Sequence, residues 1–322
     1  LAPACSGSVG VPFAHTLQQR IAGILGTAAE RCEKLDDDRF LSWNLAAWNV
    51  AVVVYAPRNA AIEAPVVIDW DLSGDDVVHQ PLLVVIAENG CELEIIQRFH
   101  GDGGYLVNQA THAVAGDNAG LRIFTLQETG AEAVFIGHGH ALVGHDGRFK
   151  QSEAQMGSGF AKTRFTTDIT GSGSDVHLDG LYFAENEQHF DLRTVQNHQS
   201  PNSQSRAFYK GVVRDSARTV YQGLILVEPN ASGTDAFLTN RNMVLNDGAR
   251  ADSIPTLQIR TNDVKCSHGS TTGKIDPEEI YYLENRGLPR AEAEKLIIVA
   301  YLPALVRDHL RGLIAARVER SA

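Results

Sequence analysis

Cysteine is scarce in this chain of 322 residues: Cys5, Cys32, Cys91 and Cys266 stand far apart, and no two form a Cys-x-x-Cys pair. That spacing excludes a zinc module and a dense disulfide framework, and it fits free thiols in a reducing compartment. Basic residues are outnumbered, 28 against 39 acidic, for a formal net charge of −11. Such a balance opposes unassisted binding to phosphate backbones or anionic membranes, so nucleic acid is not expected as a partner. Long apolar runs are missing too. Leu296 to Val306 is interrupted by Pro303 and falls short of the roughly 20 residues that span a bilayer, so no membrane segment is expected. No basic stretch leads into an apolar one at the start, and no Met opens the sequence. We therefore expect no secretory signal, a sequence that begins inside a longer protein, and a cytoplasmic location.

Signatures of chemistry are thin as well. There is no nucleophile elbow, no Gly-x-Gly-x-x-Gly fingerprint and no His-Glu-x-x-His pattern. The run Gly269-Ser270-Thr271-Thr272-Gly273-Lys274-Ile275 imitates a phosphate loop. It has one residue too few between its glycines, and Ile275 stands where a Ser or Thr would hold magnesium. No nucleotide site is expected in this chain. Asn230-Ala231-Ser232 is a glycosylation acceptor only in a secreted protein.

What is present is enough apolar residue, 43%, to bury a large core. Leu17, Ile21, Ile24, Leu25 and Ala28 recur at helical spacing and predict one helix from Thr16 to about Leu35, within a helical N-terminal remnant over residues 1–45. From residue 46 to 272 the texture changes to short runs rich in Val, Ile, Phe and Tyr, punctuated by Gly, Asn and Asp. Examples are Leu82 to Ala87, Val176 to Phe183, Phe190 to Val195 and Thr219 to Val227. Their centres recur roughly every 12 to 15 residues, a spacing shared by sandwiches, barrels and solenoids. The length of the helix-free stretch and the number of buried-looking runs favour a solenoid, so the expected fold class is mainly β, a right-handed parallel β-helix with flanking helices.

Helices return in residues 273–322. Asp276 is a cap, Pro277 a first helical residue, Glu279 the partner in a capping box, and Gly287 a stop. A second helix is expected to start near Pro289. In a third, Leu305, Val306, Leu310, Leu313, Ile314 and Val318 share one face, a stripe that needs a partner surface.

Cys266 and His268 are two residues apart, so in an extended segment their side chains share a face with Val264, while Lys265 and Ser267 take the other. A thiolate and an imidazole about 7 Å apart along a strand reach a common metal or cluster if further ligands complete the set. The alternative is a buried structural cysteine. Lys265 is a candidate for lowering the thiol pKa. His138 and His140, with His145 after a glycine turn, repeat the geometry and are weaker candidates for a transition metal, against a strand whose exposed face carries histidine. His177, His189 and His198 suggest a solvated ladder.

The run Asp263-Val264-Lys265-Cys266-Ser267-His268-Gly269-Ser270-Thr271, then Gly273, Ile280-Tyr281-Tyr282-Leu283 and Arg286-Gly287-Leu288, resembles the C-terminal signature of the SufB/SufD family of SUF iron–sulfur cluster assembly scaffold proteins. The resemblance extends upstream through Ser205, Tyr209-Lys210-Gly211, Gly223, Thr234-Asp235-Ala236 and Asn240-Arg241-Asn242, and more faintly to Asn44. Leu283 stands where the SufB branch places a key cysteine, and Cys-Ser-His-Gly is SufD-like. Ile254 precedes Pro255 where the family usually has lysine.

The resemblance implies a β-helix core whose C-terminal helices dock on the ABC-type ATPase SufC, supplying a partner for Leu305, Val306, Leu310, Leu313 and Ile314. It also implies pairing with a SufB-type subunit or a second copy. Sulfide would arrive as persulfide from a cysteine desulfurase through SufE-type or SufU-type donors. Cys266 and His268 become candidate ligands of a transient nascent cluster, His268 the stronger. Nothing in the residues speaks for or against a flavin. The implied role is that of a non-enzymatic scaffold, with ATP hydrolysis in the partner. A secreted β-helix enzyme acting on polysaccharide would need clustered carboxylates on one face, and no such cluster is seen. A purely structural module would make Cys266 and His268 dispensable.

Overall fold

The computed structural model describes residues 17–27 and 39–301. Two sheets of parallel strands, of nine and eight strands, wind around a common interior. The first holds β1 (Val50–Ala56), β4 (Pro81–Ala87), β6 (Leu106–Ala115), β8 (Val134–Val143), β10 (Phe160–Ile169), β12 (His189–His198), β14 (Arg218–Val227) and β16 (Arg250–Ile259) in that order, with β3 (Val78–His79) beside β6. The second runs from β2 (Val66–Asp71) through β5 (Glu92–His100), β7 (Gly120–Gln127), β9 (Arg148–Gln155), β11 (Asp175–Ala184), β13 (Gln204–Val213) and β15 (Thr234–Val244) to β17 (Val264–Gly273). From β4 onward the chain alternates between the sheets, so each strand pairs with the one a full coil away. Phe160 faces His189, and His189 faces Arg218. This is the expected parallel β-helix.

The corners explain the coil. Asn59, Gly90, Asn118, Asp146, Gly173, Asn202 and Gly233 sit at the corner from first sheet to second, one in every coil but the last, with φ between 51° and 75°. Glycine and short Asx side chains enter this left-handed region at least cost. The N–H groups there bond carbonyls of the next coil, as Asn118 to His145 O at 2.8 Å and Gly233 to Asp263 O at 2.7 Å. Between corners, alternate residues point inward. On β12 these are Phe190, Leu192, Thr194, Gln196 and His198, all buried.

Helices cover part of each outer face. Leu17, Ile21, Ile24 and Leu25 of α1 (residues 17–27) and Leu41 of α2 (Arg39–Ala47) pack on Leu82, Val84, Ile86 and Ala110. The part of the N-terminal helix predicted beyond residue 27 lies outside the described residues. Asp276 caps α3 (Pro277–Glu284) by accepting from the Glu278 N–H at 2.9 Å, one position before the expected box with Glu279. Gly287, at φ 91°, follows it. Then α4 (Arg290–Tyr301) brings Ile298 into one apolar cluster with Phe124, Leu181, Phe183 and Val212 of the second sheet and with Met156, which follows β9. Lys210 Nζ donates to the Tyr301 carbonyl at 2.9 Å and lies 4.6 Å from that residue's ring. The stripe Leu305, Val306, Leu310, Leu313 and Ile314 falls outside the described residues.

Candidate functional site

The last coil consists of β16 and β17, each at the end of its sheet. Among the described residues no strand follows, so both present unpaired backbone N–H and C=O groups along one edge. Pro255 sits within β16, where an edge tolerates its missing N–H. The glycine-bounded run Gly269 to Gly273 lies inside β17.

Register decides where the Cys-x-His side chains go. Cys266, His268, Ser270 and Thr272 align with Ala236, Leu238, Asn240 and Asn242 of β15, all buried and facing the interior. The four β17 residues continue that inward row, but only Cys266 is covered, and in part: it packs on the core while His268 is exposed. The Cys266 thiol is pushed above its ordinary pKa, first by desolvation and then by the Asp235 charge, against a backbone hydrogen bond at Ala236. Lys265 is exposed and on the opposite face, so the activation its sequence position suggested does not occur. Near neutral pH Cys266 is a thiol, and His268 is the accessible donor.

Beneath this coil lies a buried polar network. Tyr182 OH bonds Asn242 Oδ1, Asn240 Nδ2 donates to Tyr182 OH at 3.1 Å, and Asn242 Nδ2 donates to Asn240 Oδ1 at 2.9 Å and to Thr272 Oγ1 on β17 at 3.3 Å. Gly211 makes this possible, because a Cβ there would strike the Tyr182 ring. Tyr209, Gly211, Asn240 and Asn242 of the upstream signature thus meet inside the solenoid, next to the coil that carries Cys266 and His268.

The other histidines go elsewhere. His138 and His140 are buried on the outer side of β8 rather than exposed to solvent, and His140 Nε2 lies 3.1 Å from Asp168 Oδ2 and its ring 6.3 Å from that of His112. His145 pairs with Asp146 and His177 with Asp175. His177 lies on β11 while His189 and His198 open and close β12, so the three form no ladder. His198 is fully buried between Ser203 Oγ and Ser205 Oγ, each at 2.7 Å, and burial lowers its pKa to about 4. Among the described residues no three His, Cys, Asp or Glu side chains gather to hold a metal ion. Any cluster held by Cys266 and His268 needs ligands from outside the described residues. Sequence reasoning missed the inward polar residues. The signal was there in Gln151, Glu153 and Gln155, polar residues at alternate positions of a buried strand.

Residues 71–301 match the family model described as SUF system FeS cluster assembly, SufBD core domain. An iron–sulfur cluster assembly SufBD family protein of Mycobacterium tuberculosis is 32% identical over 277 residues, 84% of this chain and 69% of that protein. The iron–sulfur cluster assembly protein SufD of Escherichia coli is 30% identical over 235 residues, 71% of this chain and 56% of its own length. The Bacillus subtilis protein of that name is 25% identical over 279 residues, 85% and 64% of the two chains.

Proposed function

The chain belongs to the SufB/SufD family of the SUF iron–sulfur cluster assembly system, and on that premise we propose that it is a SufD-type scaffold subunit that presents its terminal coil to a partner, with the nascent cluster as cargo. The observation that carries this reading is the open coil itself: two parallel edges unpaired among the described residues, with His268 exposed between the family's signature residues. An edge of this kind is completed by a second edge, and a SufB-type subunit or a second copy supplies one. His268 then contributes an imidazole at the junction. Cys266, half-buried and protonated, becomes a ligand only where a partner or metal takes its proton.

The C-terminal helices supply the second contact. Tyr281 and Tyr282 on α3 and Leu296 on α4 are 65%, 56% and 49% exposed, an apolar surface that supports docking of a SufC-type ATPase. In this reading ATP hydrolysis belongs to that partner, the chain itself is not an enzyme, and the complex works in the cytoplasm.

Anaerobic reconstitution with SufB-type and SufC-type partners tests the site. Cluster absorbance should fall with His268→Ala, and an unchanged yield would remove His268 from the site while leaving the scaffold role. Truncation after Gly287 should abolish copurification with the SufC-type ATPase; retained copurification would refute docking through α4 and the residues after it.

A further inference from the structure

Inside the middle coils, amide and hydroxyl oxygens converge without a donor. Gln97 on β5, Gln151 on β9 and Thr163 on β10 are 2%, 3% and 8% exposed. The side-chain nitrogens of Gln97 and Gln151 both donate to Thr125 Oγ1, each at 3.2 Å, and that of Gln97 also to Thr111 Oγ1 at 3.3 Å. Gln97 Oε1, Gln151 Oε1 and Thr163 Oγ1 have no hydrogen-bond partner among the described residues. All three residues border one cavity of about 30 Å³, which Glu153 also lines. Buried acceptors left without donors cost free energy, and several bordering one cavity mark a ligand that donates. Size decides which. A water molecule needs roughly 10–15 Å³ of such space, so the cavity takes one water, two at most, and nothing larger. A metal cation would need more oxygen ligands than these to replace its hydration shell.

We propose that this cavity is a binding site for an ordered water, which donates to Gln97 and Gln151 and bonds Thr163 Oγ1 and the Glu153 carboxyl, so that Glu153 is held inside the solenoid as a neutral acid. Its surroundings support the neutral form. Glu153 is half-buried and accepts from Tyr209 OH at 2.9 Å, yet desolvation outweighs that bond and pushes its pKa up to about 7. The titratable groups that bear on it are Tyr209 from β13 and Tyr221 from β14, both pushed up by burial. His138 and Arg164 border the cavity from outward register positions of β8 and β10. The sign follows from linkage. Between about pH 4.5, the unshifted carboxyl value, and about pH 7 the native chain holds a proton that the unfolded chain has released. Stability from this group is present at low pH and is lost as pH rises through 7.

A high-resolution crystal structure of the chain, with a companion crystal soaked in thallium, tests the site. The expected result is a density peak bonded to Gln97 Oε1, Gln151 Oε1 and Thr163 Oγ1, without anomalous signal; a cavity without density, or an anomalous peak there, overturns the proposal. The protonated acid is read separately. At pH 6 the infrared spectrum should show a carboxylic-acid carbonyl band that disappears in Glu153→Gln, and the denaturation midpoint of the unsubstituted chain, taken relative to that variant at each pH, should fall between pH 5 and pH 7. If Glu153→Gln does not fold, loss of the band between pH 6 and pH 8 in the unsubstituted chain decides, and its absence at pH 6 refutes the neutral acid.

Discussion

Leu238 and His268 hold the same register position on neighbouring strands, one on β15 with another coil over it, the other on β17 with none among the described residues. Leu238 is fully buried and His268 is exposed. Both continue one inward-facing row, so their different fates come from the neighbour on the far side. In the middle coils a residue's environment is set by the strands before and after it. In the terminal coil one of those is missing among the described residues, and residues whose counterparts are core in β15 are half-buried or exposed in β17.

The largest test of that contrast is Leu238→Ala, which should cost about 2–5 kcal/mol in a denaturant titration, since a coil on each side keeps the cavity from collapsing. A loss no greater than that of His268→Ala would mean that β17 does not cover β15. Acid reaches the middle coils through His198. Burial lowers its folded pKa to about 4 from an ordinary 6.5, so the unfolded chain takes up a proton that the native ring refuses. The contribution of His198 should be full above pH 6.5 and be lost as pH drops to 4, by up to about 3 kcal/mol. His198→Gln should lack that loss in the same titration. The smallest effect is expected at the open coil, where His268→Ala should leave stability within about 0.5 kcal/mol. A larger cost would show that His268 is structural and weaken its role as an exposed ligand.

Much of this was legible in the residues. The short apolar runs, their spacing and the Asn, Asp and Gly punctuation between them all mark coils and corners, and Asn118, Asp146 and Asn202 sit at φ angles for which those residue types are suited. The Cys266-Ser267-His268 segment was legible as a signature and as a shared face. Its electrostatics were not. Lys265 is adjacent in sequence but across the strand in space, and the thiol responds instead to core atoms and to Asp235 from the neighbouring coil. His138 and His140 read as an exposed strand face because alternation alone does not say what lies over the outer side of a sheet.

By itself the sequence determined local conformation: a period of two along each strand, a left-handed corner residue in most coils, a capped helix after Asp276. These depend on steric and hydrogen-bonding preferences of a few consecutive residues. Tertiary structure decided which strands pair, which polar residues are desolvated and which end of the solenoid stays open. Glu153, His198 and Cys266 owe their shifted pKa values first to burial. Burial is not a property of a residue or its neighbours in the chain: the hydrophobic effect counts only area removed from water, and the strand that removes it is a whole coil away.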